Sequence, residues 1–399
     1  MLLWWLDGWS RHAASPAVWT ALEKTTLRAA LAALVGFLLA AALGPWWIGW
    51  LRRRFREPNT SPSPEIQRLH ESKHSTPTMG GLFIIAGVLG AAVVFGDWGN
   101  PMVLAAVWVA VGLAVVGAVD DLIKLAGRAR GLSARAKLTA QSAVALVAAV
   151  LIYRHHAATP NTLVWVFPGA GAGVELGAWF IPWAALVIVG SSNAVNLTDG
   201  LDGLSGGCLV AALGAMTPAI YASGHAIWAA YLGIPRVAGA GELCVLSAAA
   251  IGGVLGFLWF NCHPAQVFMG NTGALPLGGL LGALALSVRQ EWLLVVVGGV
   301  FVAEALSVIL QVGAYRLWRR RVLLCAPLHH HFQLKGWTES KIVVRFWIAA
   351  ALCAVLGLGC LKAAAPDSAP RFVPSTAAAA AEDAQPAADH ARRPFHRLP

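Results

Sequence analysis

The stretch NAVNLTDGLDGL, Asn193 to Leu204, carries two carboxylates three residues apart, two asparagines and two glycines. Asp199 and Asp202 offer hard oxygen ligands or proton acceptors, while Gly200 and Gly203 let the backbone take positive φ and approach a ligand closely. On spacing alone the same residues also suit an Asn/Asp/Gly helix cap and turn. A second acidic pair, Asp120 and Asp121 in VDDLIK, closes an apolar run. Adjacent carboxylates at the carboxyl end of a lipid-embedded helix face the negative pole of its dipole, so they require a cation. Lys124, one turn on from Asp120, or a bound Mg²⁺ would supply it.

Other polar segments carry groups suited to phosphate and nucleoside. HESKHSTPTMGG, His70 to Gly81, brings Lys73, Thr76 and Thr78 as phosphate donors, or alternatively as a snorkelling lysine and capping threonines. GLSARAKL supplies Lys137, singled out from neighbouring arginines that read as ordinary topological charge. In FNCHPAQVFMGNTGALPLGG, Phe260 to Gly279, Phe268 is a stacking surface for a base, and Asn261, Asn271 and Thr272 are partners for polar ligand atoms. APLHHHFQLKGWTESKIVVRFW, Ala326 to Trp347, holds His329, His330 and His331 among basic residues, a setting better suited to binding phosphate or moving protons than to zinc.

These segments are separated by membrane-length apolar runs. The 399-residue chain is 58% hydrophobic and 12% charged, half the charge of an average globular domain at about 25%. It reads as an all-α integral membrane protein with about ten transmembrane helices, each needing about 20 residues to cross the hydrocarbon core. The expected spans are 26–50, 79–96, 101–119, 137–153, 178–194, 205–222, 243–260, 273–289, 292–313 and 343–362. They form one domain over 26–362, preceded by an interfacial segment, 1–25, on the periplasmic side. An Ala/Pro-rich tail without apolar periodicity, 363–399, is expected to be disordered.

Of the 29 Lys and Arg, about 18 fall in Leu51–Thr78, Asp120–Gln141 and Ala314–Arg345, three loops that share one side if the spans alternate. The positive-inside rule makes that side cytoplasmic. Net charge +10 then reflects topology and anionic ligands, and charge scattered between helices argues against nucleic acid. The six cysteines show no CxxC spacing, so neither a disulfide framework nor a zinc site is indicated. Tryptophan clusters such as Trp46-Trp47-Trp50 read as interfacial belts. All the polar motifs fall on the same expected face, although they span most of the chain, which favours one composite site over independent turns. The same sidedness argues against a transporter, whose site would lie near the midplane.

Taken together, TPTMGG, DDLIK, GLSARAKL, NAVNLTDGLDGL, VFMG and PLHHHFQLKGWTESKIVVRFW resemble the phospho-N-acetylmuramoyl-pentapeptide transferases. These form a branch of the polyprenyl-phosphate N-acetylhexosamine-1-phosphate transferase superfamily. The resemblance implies a multi-pass enzyme of the bacterial inner membrane. Its reaction would move phospho-MurNAc-pentapeptide from UDP to undecaprenyl phosphate with Mg²⁺, making the first lipid intermediate of peptidoglycan. It implies Asp120, Asp121, Asp199 and His329 to His331 as catalytic residues, with Asp121, Asp199 and Asn271 at the metal. Lys73, Thr78, Lys137, Asn196, Asp202, Asn261 and Phe268 would bind substrate. The implied partners are UDP-MurNAc-pentapeptide, undecaprenyl phosphate, membrane lipid and a second copy of the chain in a homodimer. Asn271 departs from the family, which has aspartate there, and Ala274 stands in place of a serine. That departure keeps open a relative acting on another UDP-amino sugar, and a silent paralogue that binds polyprenyl phosphate or nucleotide.

Overall fold

The computed structural model describes residues 23–54, 76–126, 131–158, 163–166 and 173–363. The chain runs α1 (Thr25–Arg54), α2 (Gly81–Phe95), α3 (Pro101–Leu125), α4 (Ala134–Ala157), β1 (Val164–Val166), β2 (Gly173–Glu175) and α5 (Phe180–Thr198). It continues with α6 (Leu204–Gly224), α7 (Ala226–Leu232), α8 (Leu243–Asn261), α9 (Asn271–Ser287), α10 (Glu291–Val297), α11 (Gly299–Trp318), α12 (Leu328–Leu334) and α13 (Glu339–Ala363). The two short strands pair antiparallel, Trp165 opposite Val174, between α4 and α5.

Among the described residues, eight helices are long and apolar enough to cross a membrane: α1, α3, α4, α5, α6, α8, α11 and α13, two of them extended by a flanking turn. The protein is therefore a multi-pass helical membrane protein. Each of the ten expected spans corresponds to helix, but two differ in form. The second is only 15 residues and the ninth breaks at Gly298 into α10 and α11, while the eighth keeps its expected 17 residues, shifted two positions toward the amino end. Fifteen residues rise about 22 Å, short of a 30 Å core. The shortening has a local cause: the segments entering α2 and α9 pair with each other. Phe268 donates its N–H to Pro77 O at 2.8 Å, Gly80 donates to Phe268 O at 2.8 Å, and Gly81 to Met269 O at 2.9 Å. Non-helical backbone is tolerated near a membrane where protein satisfies it in this way.

Local signals set the helix starts. Asn100 caps α3, its side-chain oxygen accepting Met102 N–H at 2.9 Å, and Pro101 occupies the first turn, where a missing N–H costs nothing. Ser133 caps α4 by accepting Ala136 N–H at 3.2 Å, which places Lys137 in the first turn of that helix. The whole of α9 is buried and packs against α3 and α5, while α8 packs against α1, α2 and α6. Large apolar side chains on the outer faces of α1, α11 and α13, including Leu38, Ile309 and Val355, remain exposed, as a lipid-facing surface requires. At the end opposite the polar motifs, buried Arg28 joins Glu242, with one nitrogen 2.8 Å from Oε2, tying α1 to the turn before α8.

Candidate active site

The structure brings the polar ends of α3, α4, α5, α8, α9 and α13 together. Asp120 and Asp121 lie near the carboxyl end of α3, and both are buried. The Lys124 ammonium stands 3.0 Å from Asp120 Oδ2 and 3.4 Å from Asp121 Oδ1, the helical neighbour relation expected from the spacing. From α4, Lys137 lies 3.8 Å from Asp120 Oδ2 and donates to Asn271 Oδ1 at 2.9 Å. Asp120 Oδ1 also accepts Leu132 N–H at 2.8 Å, which ties the approach to α4 onto α3.

The amino end of α9 meets the same pair. Asp121 Oδ2 accepts the backbone N–H of Thr272 at 2.9 Å and its hydroxyl at 2.7 Å, so a carboxylate occupies the positive pole of that helix. Gly270, at φ +71°, precedes α9. A Cβ on it would stand 2.7 Å from both Asp121 Oδ2 and Thr78 Oγ1, so the close approach excludes any side chain and sets buried Thr78 beside the carboxylates. The Asn271 amide nitrogen donates to Asp120 Oδ2 and, at 3.0 Å, to Asp121 Oδ1. Its partners fix the orientation of the amide: nitrogen toward the carboxylates, oxygen toward Lys137. Two carboxylates and two ammonium groups thus balance around a neutral bridge.

Asp199 is the first residue beyond α5 and is half-buried. Its carboxylate receives no hydrogen bond among the described residues. Burial pushes its pKa up to about 7, and the charges of Asp121 and Asp202 push the same way. Asn196, one turn earlier, is half-buried. The turn that follows is held from three directions. Glu339 Oε1 accepts Asp202 N–H, Asn261 Oδ1 accepts Gly203 N–H, both at 2.9 Å, and Trp347 Nε1 donates to Gly203 O at 3.1 Å. Gly203 has φ +77°, a conformation that an L side chain would strain. Asp202 is buried, and its Oδ2 accepts Ala265 N–H at 3.1 Å and lies 3.0 Å from His263 Nδ1.

Asn261 also donates to Val267 O at 2.8 Å, so it clamps the 199–203 turn to the loop carrying half-buried Phe268. The three histidines separate. His329 is buried, with Nδ1 3.2 Å from Glu304 Oε1, and its Nε2 has no hydrogen-bond partner among the described residues. That Nε2 is the atom nearest to a Cβ placed on Gly200, so it points at the 199–203 turn. His330 Nδ1 lies 2.8 Å from Gln333 Oε1. His331 Nδ1 accepts Leu324 N–H at 3.1 Å, and burial, with Lys335 nearby, holds its pKa below the ordinary value. Lys73 lies outside the described residues.

Glu304 escapes the motif reading. It is fully buried in α11, and its carboxylate accepts Leu328 N–H at 2.6 Å and His329 N–H at 3.1 Å. The signal that marks it is a single acidic residue inside the apolar run VGGVFVAEALSVILQV, because an ionisable group in a membrane helix needs a partner. His263 and Glu339, which meet Asp202, likewise go unread in the sequence.

A model of the Glycosyl transferase family 4 matches residues 103–289, which contain Asp120, Asp121, Lys137, Asp199, Asp202 and Asn271. The chain is also 43% identical over 356 residues to the phospho-N-acetylmuramoyl-pentapeptide-transferase of Koribacter versatilis (strain Ellin345), covering 84% of this chain and 93% of that protein. Identity of that extent, over a bundle whose polar ends converge on one acidic site, makes this chain a member of the phospho-N-acetylmuramoyl-pentapeptide transferase family.

Proposed function

We propose that the protein transfers phospho-MurNAc-pentapeptide from its UDP ester to undecaprenyl phosphate, releasing UMP. The observation that carries the reading is the buried Asp120–Asp121 pair, facing Lys124, Lys137 and the amino end of α9. In the reaction a phosphate oxygen of the lipid attacks the phosphorus that bears the sugar. The bond from that phosphorus to the bridging oxygen breaks, and UMP leaves with the electron pair. One phosphoanhydride replaces another, so rate comes from alignment and charge neutralisation.

Asp120 orients the lipid phosphate and takes its remaining proton, while Lys124 and Lys137 offset the charge that gathers there. Thr78, Lys73 and His329 to His331 hold phosphate oxygens. Asp202, Asn196, Asn261 and Phe268 receive the nucleoside half. An apolar groove of about 260 Å³, lined by Val187, Ala194, Leu294, Phe301 and Leu306, runs beside α5 and suits a prenyl chain.

Asp121 and Asp199 are the residues suited to hold Mg²⁺. The fit rests on chemistry: both are oxygen donors, and the Asp199 carboxylate receives no hydrogen bond among the described residues and faces like charge that a divalent cation relieves. When bound, the ion neutralises charge on the pyrophosphate oxygens. Asn271 joins them only by turning its carbonyl away from Lys137.

The basic loops orient the site to the cytoplasm, with 26–362 as the transferase domain. A cysteine introduced near Pro62 should resist an impermeant thiol reagent in whole cells, and one near Thr159 should react; the reverse pattern overturns the orientation. A radiolabel assay of the purified protein with UDP-MurNAc-pentapeptide and undecaprenyl phosphate tests the reaction. Labelled lipid and stoichiometric UMP are expected. Tight binding of either substrate without turnover would instead support the silent-paralogue reading that the neutral Asn271 favours.

A further inference from the structure

Apart from the Asp120–Asp121 centre, one nitrogen and two oxygen ligands meet where the 199–203 turn, the end of α8 and the start of α13 come together. The ligand atoms of Asp202, His263 and Glu339 all lie within 4.8 Å of one another. His263 Nδ1 stands 3.0 Å from Asp202 Oδ2 and 3.8 Å from Glu339 Oε2. A tetrahedral ion with bonds of about 2.0–2.1 Å needs ligand atoms about 3.3–3.4 Å apart, a spacing these two distances bracket.

The carboxylates are set in advance by the backbone. Ala265 N–H donates to Asp202 Oδ2 at 3.1 Å, and Asp202 N–H donates to Glu339 Oε1 at 2.9 Å, leaving Glu339 Oε2 turned toward the imidazole. Such outer contacts orient metal ligands and raise affinity. Asp202 is buried and Glu339 partly so, while the His263 side chain is 44% exposed, which gives an ion a way in and leaves a fourth position to water. A neutral imidazole has a single Nδ1 position for two converging carboxylates, whereas a divalent ion is shared by all three ligands.

The geometry points to a second cation site, Asp202–His263–Glu339, that takes one borderline divalent ion of the Zn²⁺ class. The imidazole nitrogen makes the choice. Mg²⁺ takes oxygen ligands, whereas a His/carboxylate set favours Zn²⁺ or Co²⁺. Because Asp202 also faces the proposed nucleoside pocket, an ion held there competes with the uridine end of the donor. That consequence rests on the function proposed above; the metal site itself does not.

The test uses the full-length protein in detergent with excess Mg²⁺ present. Co²⁺, as a spectroscopic stand-in, is titrated into wild type, His263→Asn and Glu339→Gln, then displaced with Zn²⁺. His263→Asn keeps a donor toward Asp202, and Glu339→Gln keeps the oxygen that accepts Asp202 N–H, so each variant removes a ligand with little loss of structure. One equivalent with a tetrahedral d–d spectrum is expected for wild type, with affinity lower by at least the roughly 10–100-fold that losing an outer partner of a ligand costs, in either variant. A spectrum and affinity unchanged in both variants would place the ion elsewhere, for example on His330 and His331, and would overturn the site. In a second arm, Zn²⁺ should raise the UMP concentration needed for half-saturation of wild type but not of His263→Asn. Unaltered UMP affinity alongside normal Co²⁺ binding would overturn the competition and leave the metal site standing.

Discussion

His329 Nδ1 lies 3.2 Å from Glu304 Oε1, and the same carboxylate receives the backbone N–H groups of Leu328 and His329. One buried acid on α11 therefore both caps the short helix α12 and sets the tautomer of its first histidine. With Nδ1 directed at Glu304, Nε2 faces the Asp199–Gly200 turn. Glu304 is thus a positioning residue for His329.

Replacing Glu304 with Ala should leave three donors without a partner and lower stability by about 3–5 kcal/mol, read as a drop in unfolding temperature in detergent. Glu304→Gln keeps one acceptor oxygen but presents an amide N–H₂ to donors, so it should fold and still lose turnover. The diagnostic is the pair. If Glu304 acts through His329, then Glu304→Gln combined with His329→Ala should cost little more activity than His329→Ala alone. Additive losses would assign Glu304 to packing only.

Much of this site is legible in the residues and their spacing. Asp120 and Asp121 stand out because adjacent acids at a membrane helix end demand a cation, and Lys124 is found where helical spacing puts it. The common sidedness of the motifs follows from alternating spans, and the bundle brings the same ends together. What stays hidden is pairing between distant segments. Nothing local announces that Pro77 to Gly81 pairs with Phe268 and Met269, which shortens the second span to 15 residues. Three consecutive histidines look like one device, yet a short helix sends their side chains to Glu304, Gln333 and Leu324. Asn261 reads as a ligand contact, and no motif announces that its amide also joins two loops.

Asp120→Asn and Asp121→Asn should each remove transfer by at least about 10²–10³-fold, because each deletes a charge where phosphate is handled. The two should differ in stability. Asp121 Oδ2 accepts two hydrogen bonds from Thr272, so an amide there should loosen the amino end of α9 by about 1–3 kcal/mol. Asp120→Asn should unfold closer to wild type. Unaltered transfer in both variants, assayed with the radiolabelled donor, would remove the pair from the chemistry.

Asn271→Asp should have opposite effects with and without Mg²⁺. The present amide donates to both Asp120 and Asp121; an aspartate would instead set a third carboxylate against them, offset only in part by Lys137. In chelator, the variant should unfold at a lower temperature than wild type. Mg²⁺ should restore it and bind more tightly than to wild type, because a hard cation gains an anionic ligand. Identical Mg²⁺ titrations of stability in the two proteins would mean that position 271 does not approach the ion.

The pH dependence of metal binding should follow Asp199. Burial first, then the charges of Asp121 and Asp202, raise its pKa from an ordinary 3.8 to about 7. A carboxyl whose folded pKa is raised contributes stability in full below about pH 4 and loses it as pH rises through about 7, since ionisation is penalised only in the folded state. Metal-free protein should therefore become less stable across that window, and Mg²⁺ should oppose the loss. Binding the ion requires the carboxylate, so below pH 7 a proton must leave. Apparent Mg²⁺ affinity should then fall by about tenfold for each pH unit below 7 and level off above it. Calorimetric titration at several pH values between 5.5 and 8, in buffers of differing ionisation enthalpy, reads both the affinity and the released proton. Asp199→Asn should bind more weakly and with a much flatter pH profile. A wild-type profile as flat as that of the variant would remove Asp199 from the metal.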